Sequence, residues 1–292
     1  MDFATVQRAG GWTNAVWLSE GLVLRLSTRQ GNPSLLREVQ LVRLFPPGVG
    51  YPQLVEYGTT SGHAWTLANR LPGESLGSAW SGLSLEQRVT ALQGLWERAQ
   101  AVHSVPGFKA ARIVSGETWF NSTDPAKAEA GLAHLAEERI LTGRECRALQ
   151  EALACFWRVK PAAPCVLCHG DLTPDNAVWD GGRLVALLDF EFAVMAPVQL
   201  DLNHLVKCAY GPGEGEQELR QTVKTIARPR LVREQDKALL VGYALLLELW
   251  LLTDWLDHPE GEGPLEQWEP LKRLRSLADG KLGYLRPLML VP

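Results

Sequence analysis

The chain has 292 residues and a formal net charge of −4, and 46% of its residues are hydrophobic against 21% charged. This length is sufficient for a well-buried core and for two domains or lobes, and the composition is typical of a globular protein. The weak negative charge gives no indication of a large basic surface, so we expect no nucleic-acid partner.

Signals for export or membrane insertion are not evident in the sequence. The N-terminal segment MDFATVQRAG has no basic start followed by an apolar run, as a secretory signal would. The most apolar stretch, residues 238–253, is interrupted by Glu248 and is shorter than the roughly 20 residues of a membrane span. Five cysteines without such a signal are typical of free thiols in a reducing compartment. We therefore expect a cytoplasmic protein with no membrane partner.

The first 70 residues have the pattern of strands with one helix. Residues 19–21 form a predicted turn between two strand-like runs, and the runs QLVEY and AWTLA predict a second hairpin. Between them, Asn32 can cap a helix and Pro33 suits its first position. The helix would carry its apolar stripe on Leu35, Val39 and Val42, with Glu38 beside that stripe.

The rest of the chain is predicted to be mainly helical. Ser84 and Gln87 fit a capping box before an amphipathic run that continues to residue 102. Further helices are predicted from Asp124 and over residues 144–159. These elements indicate an N-terminal lobe at residues 1–70, a hinge near 67–73 and a C-terminal lobe at 71–292, with a ligand cleft between the lobes.

The stretch PCVLCHGDLTPDNAVW, residues 164–179, fits two incompatible chemistries. Cys165-x-x-Cys168-His169 matches a c-type haem attachment signature, whereas His169-Gly170-Asp171 followed by Asn176 matches a loop that transfers phosphate. Covalent haem attachment normally accompanies export, and the cysteines lie in an apolar run that resembles a short buried strand. We therefore expect no haem and place both cysteines in the core.

Phosphoryl transfer needs a carboxylate to accept a proton and oxygen ligands to hold Mg²⁺ against the phosphates. Asp171 precedes Asn176 by five residues, and Gly181-Gly182 between two strand-like runs predicts a tight hairpin. That hairpin would place Asn176 opposite roughly Leu187, with Asp189 about 6–7 Å further along the strand. A metal–phosphate site is predicted where these side chains meet.

The motifs CHGDLTPDNAVW, LLDFEFA and APVQLDL, between His169 and Asp201, resemble those of the aminoglycoside phosphotransferase and choline kinase family. The resemblance covers most of the chain. It implies a two-lobed α+β fold like that of protein kinases, with a small antiparallel N-terminal sheet carrying one helix and a larger, mainly helical lobe. It also implies an enzyme that uses ATP and Mg²⁺ to phosphorylate a hydroxyl group of a small molecule.

The resemblance assigns roles to the matching residues. Asp171 would be the catalytic base, and Asn176 and Asp189 would bind Mg²⁺. His169 belongs to the catalytic loop, which Asp201 would support. A helix cap within QLDLNH remains the alternative role for Asp201.

In the N-terminal lobe, the position of the phosphate-covering loop holds two adjacent glycines but not the full G-x-G-x-x-G spacing. The resemblance assigns nucleotide binding in this loop to Gly10, Gly11, Thr13 and Asn14.

Arg25 occupies the strand position at which protein kinases have lysine, and Glu38 would be its partner. Arginine can hold phosphate, but as a planar fork rather than a point charge. An ordinary exposed strand arginine is the alternative. Backbone groups from Leu67 to Asn69 would bind adenine at the hinge.

The acceptor is indicated only by the helix ALLLELWLLTDWLDH. Trp250, Asp254 and Asp257 share one of its faces, which would suit a cationic acceptor through charge pairing and cation–π contact. The alternative is a solvated helix end whose tryptophan packs in the core.

Two other functions were weighed against a small-molecule kinase. A protein kinase needs an activation segment, but only 11 residues separate Asp189 from Asp201 and no A-P-E motif follows. A nucleotide-binding pseudokinase would be expected to lack Asp171, Asn176 or Asp189, and all three are present. The sequence therefore favours phosphoryl transfer to a small hydroxylated molecule.

Overall fold

The computed structural model describes residues 6–9, 13–114, 124–209, 217–258 and 263–289. These residues form the predicted α+β architecture, with an antiparallel sheet in the N-terminal region and mainly helices after it. The deep cleft lies between the sheet and the helices.

The N-terminal sheet has the strand order β1-β2-β3-β5-β4, and every neighbouring pair is antiparallel. Both predicted hairpins are present, β2–β3 with its turn at 19–21 and β4–β5 with its turn at 61–62. The strands are β1 Gln7–Ala9, β2 Asn14–Leu18, β3 Leu22–Ser27, β4 Leu54–Thr60 and β5 His63–Asn69.

Helix α1, Ser34–Val42, packs against β5 of this sheet. It begins one residue later than predicted, because Pro33 is its N-cap, while Asn32 Oδ1 accepts a hydrogen bond from the Ser34 N–H at 3.0 Å. Glu38 lies on the buried face, 1% exposed. The helix therefore directs a carboxylate into the interior between the sheet and the cleft.

The C-terminal region is mainly helical, as predicted. The capping box of Ser84 and Gln87 starts α3, and Asp124 caps α5. The helices are α2 Leu76–Ala79, α3 Leu85–His103, α4 Gly107–Ala110, α5 Pro125–Glu137, α6 Gly143–Val159, α7 Gln199–Ala209, α8 Gln217–Ala227, α9 Glu234–Asp257, α10 Glu269–Ala278 and α11 Arg286–Met289.

Two small sheets position the loops of the predicted site. The first has the order β6-β8-β9 and the second pairs β7 with β10, all antiparallel. Their strands are β6 Glu74–Ser75, β7 Val166–Cys168, β8 Ala177–Asp180, β9 Arg183–Leu187 and β10 Val194–Ala196. The loops that follow β7 and β9 lie close together, since His169 Nε2 in the first is 2.9 Å from the Leu188 carbonyl in the second.

The β8–β9 hairpin turns at Gly181 and Gly182, whose φ angles of 54° and 84° favour glycine. The predicted pairing of Asn176 with Leu187 is wrong by one residue. Ala177 pairs with Leu187, and the Leu188 N–H donates to the Asn176 carbonyl at 2.8 Å. A register shift between Val178 and Trp179 causes the difference. Leu188 therefore lies opposite Asn176, and Asp189 is one residue beyond that position instead of the predicted two.

The cysteine prediction is correct for Cys168 and wrong for Cys165. Cys168 ends β7 and is buried, with its Sγ 3.5 Å from the Ala196 carbonyl. Cys165 is exposed because β7 begins only at Val166.

Helix α9 is the central helix of the C-terminal core and packs against α5, α6, α7 and α10. Among the described residues it is the one helix long and apolar enough to cross a membrane. Of its 18 most apolar consecutive residues, 56% are buried inside the fold. The interpretation of residues 238–253 as a buried helix agrees with this packing.

Gly242 of α9 packs directly against Phe156 of α6. A Cβ atom there would lie 2.1 Å from Cδ2 of Phe156, which is fully buried.

Because an overpacked core costs about 1–3 kcal/mol, we expect Gly242→Ala to lower the free energy of unfolding by that amount in urea titrations. The matched control is Gly143→Ala on α6, where the nearest atom is 3.7 Å away. It should be neutral or stabilising by about 0.4–1 kcal/mol, and equal losses in both variants would contradict the steric explanation.

Candidate active site

A cleft of 1230 Å³ runs between the N-terminal sheet and the helices. Its walls include Arg25 from β3, Asp171, Asn176 and Asp189 from the two loops, and Trp250 from α9. Residues separated by more than 200 positions thus face one space, as the predicted ligand site requires.

Asp171 and Asn176 are held together in the loop that follows β7. Asn176 Nδ2 donates to the Asp171 carboxylate Oδ2 at 2.8 Å and to the Asp171 carbonyl at 3.0 Å. These bonds fix the carboxylate at the cleft wall. They use the amide nitrogen of Asn176 and not its amide oxygen.

Asp189 follows β9 in an unusual backbone conformation. Its φ of 60° lies in the left-handed region, which non-glycine residues occupy rarely and Asp and Asn more readily than most. The side chain is 34% exposed, and its Oδ1 accepts from Arg25 at 2.6 Å. The backbone turn therefore directs this carboxylate toward the cleft and the sheet.

Asp201 binds the backbone of the loop that follows β7 from beneath. Its fully buried carboxylate accepts the N–H of His169 at 2.9 Å, the N–H of Gly170 at 3.0 Å and a proton of His103 Nε2 at 2.8 Å. Burial alone would raise the pKa of Asp201, but the hydrogen bond and charge of His103, together with His169 and the Gly170 N–H, lower it. The carboxylate therefore stays charged beneath the loop.

His169 links the loop to the segment carrying Asp189. Its Nδ1 accepts the Asp171 N–H at 3.3 Å, which assigns the proton to Nε2, and Nε2 donates to the Leu188 carbonyl at 2.9 Å. Its ring lies 4.5 Å from the ring of Phe190. Both nitrogens are thus engaged in positioning the two loops.

Arg25 joins the sheet, α1 and the Asp189 loop. Its guanidinium pairs with Glu38 at 2.8 Å and with Asp189 at 2.6 Å, and Tyr51 Oη donates to Glu38 at 2.9 Å. Burial would lower the pKa of Arg25, but the carboxylates of Asp189 and Glu38 raise it well above its usual value. Arg25 therefore carries a permanent charge at the cleft wall.

Glu191 belongs to this site and was missed by sequence reasoning. Thr13 Oγ1 donates to its carboxylate at 2.6 Å, and Arg37 donates to its carbonyl. Burial, and then the charge of Asp189, raise the pKa of Glu191 to about 7. The signal available in the sequence was a second acid two positions after Asp189, on the same turn.

The remaining nucleotide-binding predictions have different outcomes. Gly10 and Gly11 lie outside the described residues, whereas Thr13, Asn14 and Asn69 line the cleft. Leu67 does not line it, because the alternate positions of β5 face the cleft. The N–H of Asn69 already donates to the Gln53 carbonyl at 2.9 Å.

Of the predicted acceptor residues, only Trp250 lines the cleft. Asp254 lies 3.8 Å from His258 Nδ1 within the end of α9, and Asp257 is exposed. Two cations that the sequence analysis did not select, Lys207 and Arg273, line the same cleft as Trp250. They come from α7 and α10, which only the fold brings together.

The residues at the cleft fit a magnesium ion. Mg²⁺ prefers oxygen ligands and is commonly held by one or two carboxylates together with substrate phosphates. The partly exposed carboxylate of Asp189 and the amide oxygen of Asn176 supply such donors. Because Leu188 pairs with Asn176, the two side chains emerge from adjacent positions of the hairpin.

Solved structures with the same fold include aminoglycoside phosphotransferases. The GDP complex of wild-type aminoglycoside 2'-phosphotransferase-IIIa superposes with a TM-score of 0.69 over 95% of this chain and 92% of that one, at 19% identity. This similarity confirms the predicted protein-kinase-like fold.

Curated relatives act on two kinds of acceptor. An aminoglycoside 3'-phosphotransferase of Streptomyces fradiae is 28% identical over 49% of this chain and 52% of its own length. A homoserine kinase of Chelativorans sp. strain BNC1 is 28% identical over 65% of this chain and 63% of its own length. The chain thus spans less than two thirds of both relatives.

The profile described as the phosphotransferase enzyme family matches residues 5–232. This range holds the loop of Asp171, the hairpin of Asn176 and Asp189, and the supporting Asp201. The chain therefore belongs to the phosphotransferase enzyme family, as its motifs predicted.

Proposed function

We propose that this protein transfers the γ-phosphoryl group of ATP to a hydroxyl group of a small molecule, with Mg²⁺. The observation that carries the proposal is the meeting of Asp171, Asn176 and Asp189 on one wall of the cleft. A base and two metal-ligating oxygens are the side chains that this reaction needs.

Asp171 would act on the acceptor. As the hydroxyl oxygen bonds to the γ-phosphorus, the bond between that phosphorus and its bridging oxygen breaks, and ADP leaves. The hydroxyl proton passes to the Asp171 carboxylate, which Asn176 holds in position. Asp201 and His169 would position the loop through their bonds to its backbone.

Asn176 and Asp189 would hold the metal. When bound, Mg²⁺ neutralises charge that develops on the phosphates. Arg25 is already held by Glu38 and would contact the phosphates from the sheet side. Its planar guanidinium is suited to such oxygen atoms.

We place the nucleotide in the lobe of residues 1–70, joined by a hinge at 67–73 to the catalytic lobe of residues 71–292. Thr13 and Asn14 would contact the phosphates together with Gly10 and Gly11. Adenine would lie at the hinge near Asn69. Leu67 does not line the cleft, and the N–H groups of Asn69 and Arg70 already donate to the carbonyls of Gln53 and Gly21. The backbone of Leu71, which lines the cleft, is therefore the better candidate to bind adenine.

A protein substrate fits this cleft less well than a small molecule. Between Asp189 and Asp201 the chain forms strand β10, which pairs with β7. The segment is thereby bound to the core and is too short to form a peptide-binding platform. The resemblance predicts an aminoglycoside-like or amino-alcohol-like acceptor. The relatives support the aminoglycoside-like class and add homoserine, a hydroxylated amino acid.

Asp171→Asn tests the base. The amide keeps the shape of the side chain but cannot accept the proton, so kcat should fall by about 10² to 10⁴ while the Kd for Mg·ATP stays unchanged. ADP release is measured with hydroxylated acceptors that include kanamycin and L-homoserine. The control Asp279→Asn alters a surface carboxylate paired with Lys281 and should leave kcat unchanged. An equal loss of ATP affinity would instead give Asp171 a structural role.

Asp189→Asn and Asp189→Ala test the metal site. Alanine is strained at a φ of 60°, whereas asparagine tolerates it, so the pair separates backbone strain from loss of the charge. Both should lower kcat by about 10²-fold or more, since charge stabilisation by a metal contributes several kcal/mol. Titration of Mg²⁺ should show weaker binding in both. Near wild-type turnover in a folded Asp189→Ala protein would sink the assignment.

Asp201→Asn tests the support of the loop. Asp201 is the third residue of α7 and therefore lies inside the helix rather than at its N-cap, so the predicted capping role does not apply. Loss of charge-assisted bonds to His103 and two loop N–H groups predicts a fall of about 2–4 kcal/mol in the free energy of unfolding. Urea titration measures this, with Asp279→Asn again as control. A change below about 0.5 kcal/mol, within the usual range of surface substitutions, would contradict the loop-supporting role.

A further inference from the structure

The end of the cleft formed by α7, α9 and α10 carries two cations over one buried carboxylate. Lys207 Nζ lies 2.8 Å from Glu248 Oε1, and Arg273 Nη1 lies 3.4 Å from the same oxygen. Glu248 is fully buried, while the side chains of Lys207 and Arg273 retain 22% and 14% exposure. The cations therefore lie on the cleft side and the anion lies beneath them.

This cluster has one positive charge in excess. Burial lowers the pKa of Lys207, Glu248 opposes that effect, and the like charge of Arg273 adds to it. Within the described part of the chain, Glu248 Oε2 accepts no hydrogen bond. A buried pair of like charges sharing one carboxylate is costly, and an anion in the cleft would offset that cost.

The second acidic partner of Arg273 does not cancel this excess at the cleft surface. Glu269 approaches Arg273 Nη2 only at 3.8 Å, is 42% exposed and also binds Lys272 at 3.0 Å. His204, which lines the cleft beside Lys207, has a pKa lowered by burial and is neutral at physiological pH. The end of the cleft away from the catalytic loop is therefore cationic.

Helix α7 links this cationic end to the catalytic loop. Asp201 holds the loop at the start of the helix, and Lys207 follows six residues later, about 9 Å along the axis. A small acceptor can therefore reach Asp171 with a hydroxyl group while another group lies beside Lys207.

We propose that the acceptor carries a carboxylate that Lys207 and Arg273 bind while its hydroxyl group faces Asp171. The inference rests on the proposed phosphotransferase function and narrows its acceptor to hydroxylated carboxylic acids, including zwitterionic amino acids. One excess positive charge matches a singly charged carboxylate better than a dianionic phosphate. A polycationic acceptor would place amines against Lys207 and Arg273, so the acceptor expected from Trp250 and its neighbouring acids fits less well.

The test compares acids with their uncharged amides. Binding of L-homoserine and 4-hydroxybutyrate, and of the corresponding amides, is measured by calorimetry with the protein saturated with Mg²⁺ and a non-hydrolysable ATP analogue. We expect each acid to bind about 10-fold more tightly than its amide, a difference expected for one charge-assisted contact. Lys207→Met should reduce this ratio to about one.

Lys237→Met is the matched control. Lys237 on α9 pairs with Glu234 at the same 2.8 Å and has a similar exposure of 20%, but it does not line the cleft. It should leave the acid-to-amide ratio unchanged, whereas an equal effect in both variants would overturn the proposal.

The variant Glu248→Gln is expected to strengthen the binding of the acids, whereas Lys207→Met should weaken it. It also tests the proposal if Lys207→Met does not fold. Removing the competing carboxylate frees Lys207 and Arg273, so the acids should bind several-fold more tightly. They should also raise Tm more in this variant than in the wild type. A purely structural ion cluster predicts lower Tm without rescue by the acids.

Equal binding of acids and amides, or tighter binding of kanamycin than of every acid, would overturn the carboxylate site. That outcome leaves the phosphotransferase proposal intact, because turnover of any acceptor and its loss in Asp171→Asn are read separately. Conversely, selective binding of the acids without turnover would support the carboxylate site and count against the proposed reaction.

Discussion

The buried carboxylate of Asp201 is the interaction on which the candidate site depends. It accepts two successive backbone N–H groups of the loop and is kept ionised by His103. A loop between strands has few backbone partners of its own, and a carboxylate buried without them would be costly. The loop and Asp201 thus satisfy each other, and the loop's conformation, including the direction of Asp171, follows from helix α7.

A second set of interactions, centred on Arg25, bridges the cleft. Arg25 on the sheet reaches Asp189 on the other side, while Glu38 and Tyr51 hold the opposite edge of its guanidinium. Thr13 and Glu191 make a second connection between the same regions. These contacts join the prospective phosphate and metal groups before any ligand arrives. In the proposed reaction Asp189 would serve both Arg25 and a metal, so binding of Mg·ATP would redistribute these contacts, with the phosphates taking over the charge of Arg25.

The sequence predicted the parts of this site that local structure determines. Asp171, Asn176 and Asp189 lie within one loop and one glycine-turned hairpin, so strand geometry alone placed them near each other. The register was wrong by one residue because the shift near Val178 leaves no recognisable pattern. Cys165 was misplaced because an apolar run does not show at which residue its strand begins. Glu191 was missed because its partner Thr13 is 178 positions away.

The acceptor end of the cleft shows most clearly that contacts between distant elements cannot be predicted from a local sequence pattern. The helix face of Trp250, Asp254 and Asp257 was a correct deduction from helical spacing, yet a helix face identifies neighbours only on its own helix. The two cations that line the same cleft as Trp250 come from α7 and α10, and Glu248, two positions before Trp250 on α9, lies buried beneath them. An acidic helix thus contributes its carboxylate to the core and leaves two basic side chains at the surface of the cleft. The charge that an acceptor meets is therefore set by which partner of a salt bridge is buried, and this is a property of packing rather than of composition.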